Sequence, residues 1–91
     1  MRLRADPNEL EMKNLKVTIN NLMEFADGIV QGANVTFTVR QAGKVLVEDS
    51  VSGKATGPYE RNYKVMGSDA DVVVEHNRPD LSHLCITAAF V

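Results

Sequence analysis

The chain has 91 residues, ten Lys and Arg against twelve Asp and Glu, a formal net charge of −2, 44% hydrophobic residues, one Cys and no Trp. That length makes one domain. Scattered charges of both signs give no electrostatic footprint for a nucleic-acid backbone, and the lone Cys85 excludes an internal disulfide framework.

Residues 1–13 read as an N-terminal arm or short helix, separate from a β-domain over 14–91. Asp6-Pro7-Asn8-Glu9 has the order of an acidic N-cap, a first-turn proline and a glutamate three residues after the cap. This predicts a turn or two of helix through Met12. Leu15-Lys16-Val17-Thr18-Ile19 alternates with period two, so Leu15, Val17 and Ile19 are expected on one buried face. Asn21-Leu22-Met23-Glu24 repeats the capping pattern, with Gly28 at the place of a C-cap glycine, and predicts a short helical turn over 21–27. A continued extended segment is the alternative.

The clearest strand is Val35-Thr36-Phe37-Thr38-Val39-Arg40, where apolar and polar residues trade places at each step. Gln41-Ala42-Gly43-Lys44 reads as a hairpin turn, and Gly43 can supply a positive φ. The return strand, 44–51, is expected to bury Val45, Val47 and Val51. Ser52 to Pro58 is a loop by composition. Tyr59 to Met66 forms the next strand, with Arg61 interrupting a face otherwise set by Tyr59, Tyr63 and Val65. Gly67 to Asp71 turns the chain, Val72 to Glu75 follows, and His76 to His83 is a longer loop. Leu84 to Val91 is the last strand, with Leu84, Ile86, Ala88 and Phe90 inward and His83, Cys85, Thr87 and Ala89 outward. Helical crossovers long enough for parallel strands are missing from the pattern. The expected fold is all-β, a small antiparallel β-sandwich of six to seven strands with a short N-terminal helical segment or arm.

Gly28-Ile29-Val30-Gln31-Gly32-Ala33-Asn34-Val35-Thr36-Phe37 resembles the G-x-x-x-G-A-x-V opening of transthyretin-like and carboxypeptidase-regulatory-like domains. The resemblance implies an immunoglobulin-like β-sandwich entered through this segment. It also implies a structural, adhesive or accessory role without catalysis. The T-D-x-x-G step that follows the hairpin in that family is at most blurred here, in Glu48-Asp49-Ser50-Val51-Ser52-Gly53.

Residues with possible chemistry are few. His76, His83 and Cys85 bring imidazole and thiol, the common ligands of zinc and copper, to one region of the chain. They define the alternative function, a small metal-binding domain. Asp69 and Asp71, with Asp80, offer oxygen ligands to a hard cation. Neither set matches an established metal-ligand spacing. Cys85 has no glycine-rich flank to supply oxyanion donors, so no catalytic residues and no cofactor are expected. Asn34-Val35-Thr36 is a glycosylation triplet that also begins a strand. No stretch approaches the roughly 20 apolar residues of a membrane-spanning helix. The N-terminus lacks the apolar run of a signal peptide, so a cytoplasmic or virion-associated protein is expected rather than a secreted one.

Seven of the last eight residues are apolar and none is charged, whereas a strand with one wet face should alternate with polar groups. The sequence therefore points to a non-catalytic structural or interaction module. It would join a larger assembly (a virion, secretion or surface array) through its arm and last strand, by binding a protein partner or by self-association. Leu3, Leu10, Met12, Ala89 and Val91 are the expected contact residues.

Overall fold

The structure, a computed structural model, describes residues 10–91. Eight strands follow in order: β1 (Glu11–Asn20), β2 (Glu24–Ala26), β3 (Ile29–Gln31), β4 (Ala33–Gln41), β5 (Lys44–Gly53), β6 (Tyr59–Gly67), β7 (Val72–His76) and β8 (Cys85–Phe90). They form three antiparallel sheets, ordered β6-β1-β8, β5-β4-β7 and β2-β3.

The alternation in β1 and β4 explains why these two strands are central. Leu15, Val17 and Ile19 of β1 face Val35, Phe37 and Val39 of β4, and all six are at most 1% exposed. They belong to one apolar cluster fed by both three-stranded sheets. Burying six such side chains stabilises the fold by about 1.5–3 kcal/mol each before the ordering cost is subtracted. Ile86, Ala88 and Phe90 of β8 pack against the same cluster, as the period of the last strand predicts. Leu81 and Leu84, in the connection from β7 to β8, close one end of it.

Three expectations are corrected. The N-terminal helical segment is not seen: Glu11 and Met12 already lie in β1, paired with Gly67 and Met66. A two-turn helix is marginal alone, and β6 extends far enough to offer these residues a ladder instead. The capping residues Asp6 to Glu9 lie outside the described residues. The helical turn over 21–27 is replaced by the β2–β3 hairpin. Asp27 and Gly28 both have positive φ, 51° and 77°, the conformation of a two-residue hairpin turn. The same Asp-Gly pair can be read as a helix end or as this turn, and local sequence does not separate them. Val45 is 49% exposed, against the expectation of burial. The β4–β5 register shifts at Val39/Arg40, so that Val39 opposes Val47 and Arg40 opposes Val45. Leu46 is the extra residue of the bulge, and it turns to the core in place of Val45.

Candidate interaction surface

Three polar constellations join the sheets and connections, and each is internally satisfied. The first lies where β5 and β6 meet. Asp49, half-buried at an inward position of β5, accepts from the Tyr63 hydroxyl at 2.7 Å and from Arg61 Nη1 at 2.9 Å, both on β6. Arg61 therefore keeps the inward pattern of its strand, and its charge is answered by Asp49. Its guanidinium also lies over the Tyr59 ring. The Tyr63 hydroxyl holds the Asp49 carboxyl below the usual carboxylate range, with help from the Ser50 amide and Arg61. Burial, then the Asp49 carboxylate, push the Tyr63 phenol up to about 12. The Arg61 guanidinium is held protonated more firmly still by the two tyrosine hydroxyls.

The second is Gln41, 3% exposed at the end of β4. Its Nε2 donates to the carbonyls of Ser68 and Ala70 at 3.0 and 2.6 Å, and its Oε1 accepts from Ser68 N at 2.9 Å. One side chain thus ties down the turn between β6 and β7. The third is Arg78, which reaches Glu24 on the hairpin, the Asn34 carbonyl and Asp80 of its own connection. Among the described residues, no buried side-chain nitrogen or oxygen lacks a partner. These groups hold the fold together through their hydrogen bonds to one another and to the backbone.

The expected metal ligands have separate surroundings. His76 ends β7, and its Nδ1 accepts from the Arg78 amide at 3.1 Å. The His83 ring lies 2.7 Å from the Met23 carbonyl and packs edge-on against Phe25. Cys85 stands exposed on β8, opposite Asn20 in the other sheet from His76. Asp69 pairs with Lys13 and Asp80 with Arg78. Among the described residues, no three His, Cys, Asp or Glu side chains come together where they could hold a metal ion.

What the surface does carry is apolar. Met12 and Met66 oppose each other in the β1–β6 ladder and are 62% and 50% exposed. Strand parity puts both on the outer face of their sheet. Val91 lies at the same end, its amide bonded to the Asn14 carbonyl, and is 70% exposed. Leu10, also exposed, lines a shallow hollow of about 250 Å³ with Leu46 and Met66. Ala89 is exposed on the outer face of β8. Four of the five contact residues expected from sequence, Leu10, Met12, Ala89 and Val91, therefore sit on the end and outer face of one sheet, while Leu3 lies outside the described residues. Sequence reasoning missed Met66. The signal was available, because Met66 is apolar at a position whose period-two neighbours, Lys64 and Asn62, are polar. It also missed the β2–β3 hairpin, which presents exposed Phe25, Ile29 and Val30. No helix of the described residues is long and apolar enough to cross a membrane.

No family model, no curated protein and no solved structure matches this chain.

Proposed function

We propose that this domain is a non-catalytic interaction module that takes its place in a larger protein assembly by burying the outer face of the β6-β1-β8 sheet. The observation that carries the reading is the cluster of Leu10, Met12, Met66 and Val91, exposed together at the end of the sheet where β1 begins and β6 finishes. Isolated exposed apolar residues need no explanation, but a contiguous group at one end of a sheet marks a contact surface. Methionine suits such a surface, since its flexible thioether adapts to the partner. The mutual satisfaction of the Asp49, Gln41 and Arg78 groups favours a scaffold over a reaction centre. The resemblance of residues 28–37 to transthyretin-like openings favours the same role.

The test is the size of the protein in an extract of its source and in purified form, compared with Met12→Lys/Met66→Glu, which sets opposite charges across the ladder. Both positions are solvent-facing, so the variant should fold, as circular dichroism would verify. The expected result is a wild-type species larger than a monomer, in the extract or in isolation, that the double variant reduces. A monomer in both settings, unaffected by the substitutions, would remove the proposal.

A further inference from the structure

Each three-stranded sheet has two edges, and three of the four carry a device that discourages pairing with another strand. The β5 edge has Lys44, Glu48 and the bulge at Leu46. The β6 edge has Glu60, Arg61 and Lys64, and the Asp49–Arg61 pair ties it to β5. The β7 edge has Glu75, itself paired with Arg40. The fourth edge, β8, reads Cys-Ile-Thr-Ala-Ala-Phe, with no charge, no proline and no bulge.

The ladder shows which groups of β8 point outward. Val91 N donates to the Asn14 carbonyl, so 14 and 91 form a hydrogen-bonded pair. Such pairs alternate along an antiparallel ladder. Residues 89, 87 and 85 therefore bond to β1, and the N–H and C=O groups of Ile86, Ala88 and Phe90 face away from it. Among the described residues, no backbone hydrogen bond from a turn or connection reaches Cys85–Phe90. Beside Ala88, Ala89 and Phe90 lies a groove of about 550 Å³, whose far wall is Asp69 to Val72. Lys13, 2.9 Å from Asp69, answers part of the acidic charge on that wall.

We propose that β8 pairs antiparallel with β8 of a second copy, about a two-fold axis at Ala88. The two β6-β1-β8 sheets then join into one of six strands. This rests on the reading above that the domain is an interaction module, and names its partner at this edge. A two-fold contact brings a patch against itself, so a strand pairs with its own copy only if no like charges meet. The β8 edge meets that condition, whereas self-pairing of β5, β6 or β7 would bring charged strands together. Residues directly opposite must share a face of the sheet, so an axis at Ala88 sets Ile86 against Phe90 inside and Thr87 against Ala89 outside. It also sets Cys85 against Val91. Every outward-pointing backbone group of β8 gains a partner, and the small Ala88 side chains meet at the axis.

The register supplies its own test. Val91→Cys puts a thiol opposite Cys85 of the second copy in a non-hydrogen-bonded pair, at a spacing a disulfide can bridge. Cys85 and position 91 of one chain are six residues apart along an extended strand and cannot reach each other. Mild oxidation should give a covalent dimer that disappears when Cys85→Ser is added. Thr87→Glu/Ala89→Glu sets carboxylates directly opposite one another twice across the axis, while within the chain Ala89→Glu lies opposite Lys16; it should weaken the sedimenting dimer by about tenfold or more, with an unchanged circular dichroism spectrum. Failure of the Val91→Cys dimer while Ala89→Cys cross-links would move the axis to Thr87 and overturn the pairing. A wild-type protein that stays monomeric in isolation at high micromolar concentration would also overturn it. If that protein still occurs in a larger complex in its source, the interaction-module reading survives and only the self-pairing falls.

Discussion

The Tyr63 hydroxyl donates to Asp49 Oδ2 at 2.7 Å, bridging the edge of one sheet to the edge of the other. Arg61 meets the same oxygen at 2.9 Å, so one carboxylate answers both a phenol and a guanidinium. Behind them the Tyr63 ring packs edge-on against Phe37 at the centre of the core. The bridge is therefore polar at its rim and apolar at its root, and it ties β5 to β6 across the two sheets.

Asp49→Asn keeps the shape of this bridge and removes its charge. The wild-type carboxyl has a lowered pKa in the folded state, so its stabilisation is present above its unfolded value near 3.8 and is lost as pH falls through the folded value. About a third of the Asp49 and Arg61 side chains remains exposed, so solvent screening limits the loss at pH 7 to about 1 kcal/mol. Urea midpoints measured from pH 7 down to pH 2 should show the two proteins converging below pH 4. A constant difference over that range would show that the charge of Asp49 contributes nothing.

Tyr63 should ionise late. In a Tyr59→Phe background it is the only tyrosine, and without tryptophan the absorbance rise at 295 nm reports it alone. Its midpoint is expected near 12. Its pKa is raised by folding, so the stabilisation it gives is complete below the unfolded value of 10 and fades as pH climbs through 12. Adding Asp49→Ala removes the neighbouring negative charge and should bring the midpoint down. An unchanged midpoint would assign the shift to burial alone.

Gln41 gives a severe substitution at a polar position, because its amide is buried and all its partners are backbone groups. Gln41→Leu preserves apolar packing but leaves the Ser68 amide and two carbonyls without their partner in a buried site, a loss of about 2–4 kcal/mol. Gln41→Glu separates donor from acceptor. The carboxylate could still accept from Ser68 N, but it would face the Ser68 and Ala70 carbonyls that now accept from Nε2. Protonation restores a donor, so this variant should be more stable at pH 4 than at pH 7. The opposite order would mean that the turn releases the carbonyls at little cost.

How much of this was legible beforehand depends on the range of the interactions. Leu15, Val17, Ile19, Val35, Phe37 and Val39 announce their burial through a two-residue period that any sheet must respect, and the inward set of β8 is equally plain. Local grammar misled where one word has two meanings. Asp27-Gly28 ends helices and turns hairpins, and the choice was made by the pairing of Phe25 with Val30. The bulge that exchanges Val45 for Leu46 depends on the β4 register. Arg61 looked like an interruption because its partner, Asp49, is twelve residues away on another sheet. His76, His83 and Cys85 are close in sequence, yet His76 ends β7 in one sheet, Cys85 begins β8 in the other, and the His83 ring in the connection is held at the Met23 carbonyl.

The β4–β5 turn offers a stabilising change. Ala42 has φ 51° and Gly43 φ 82°, the pair of left-handed conformations a two-residue hairpin turn requires. Glycine adopts this region freely, whereas alanine is strained there by its Cβ and asparagine is tolerated through local hydrogen bonding. Ala42 is exposed, so a larger side chain meets no packing. Ala42→Asn should therefore raise stability by about 0.5–1 kcal/mol, a melting-temperature rise of roughly 3–6 °C for a domain of this size. Gly43→Ala adds a second strained residue and should lower it by a similar amount. Thermal melts of the two variants beside the wild type would reveal the order, and a fall for Ala42→Asn would mean that the hairpin closes through a different turn.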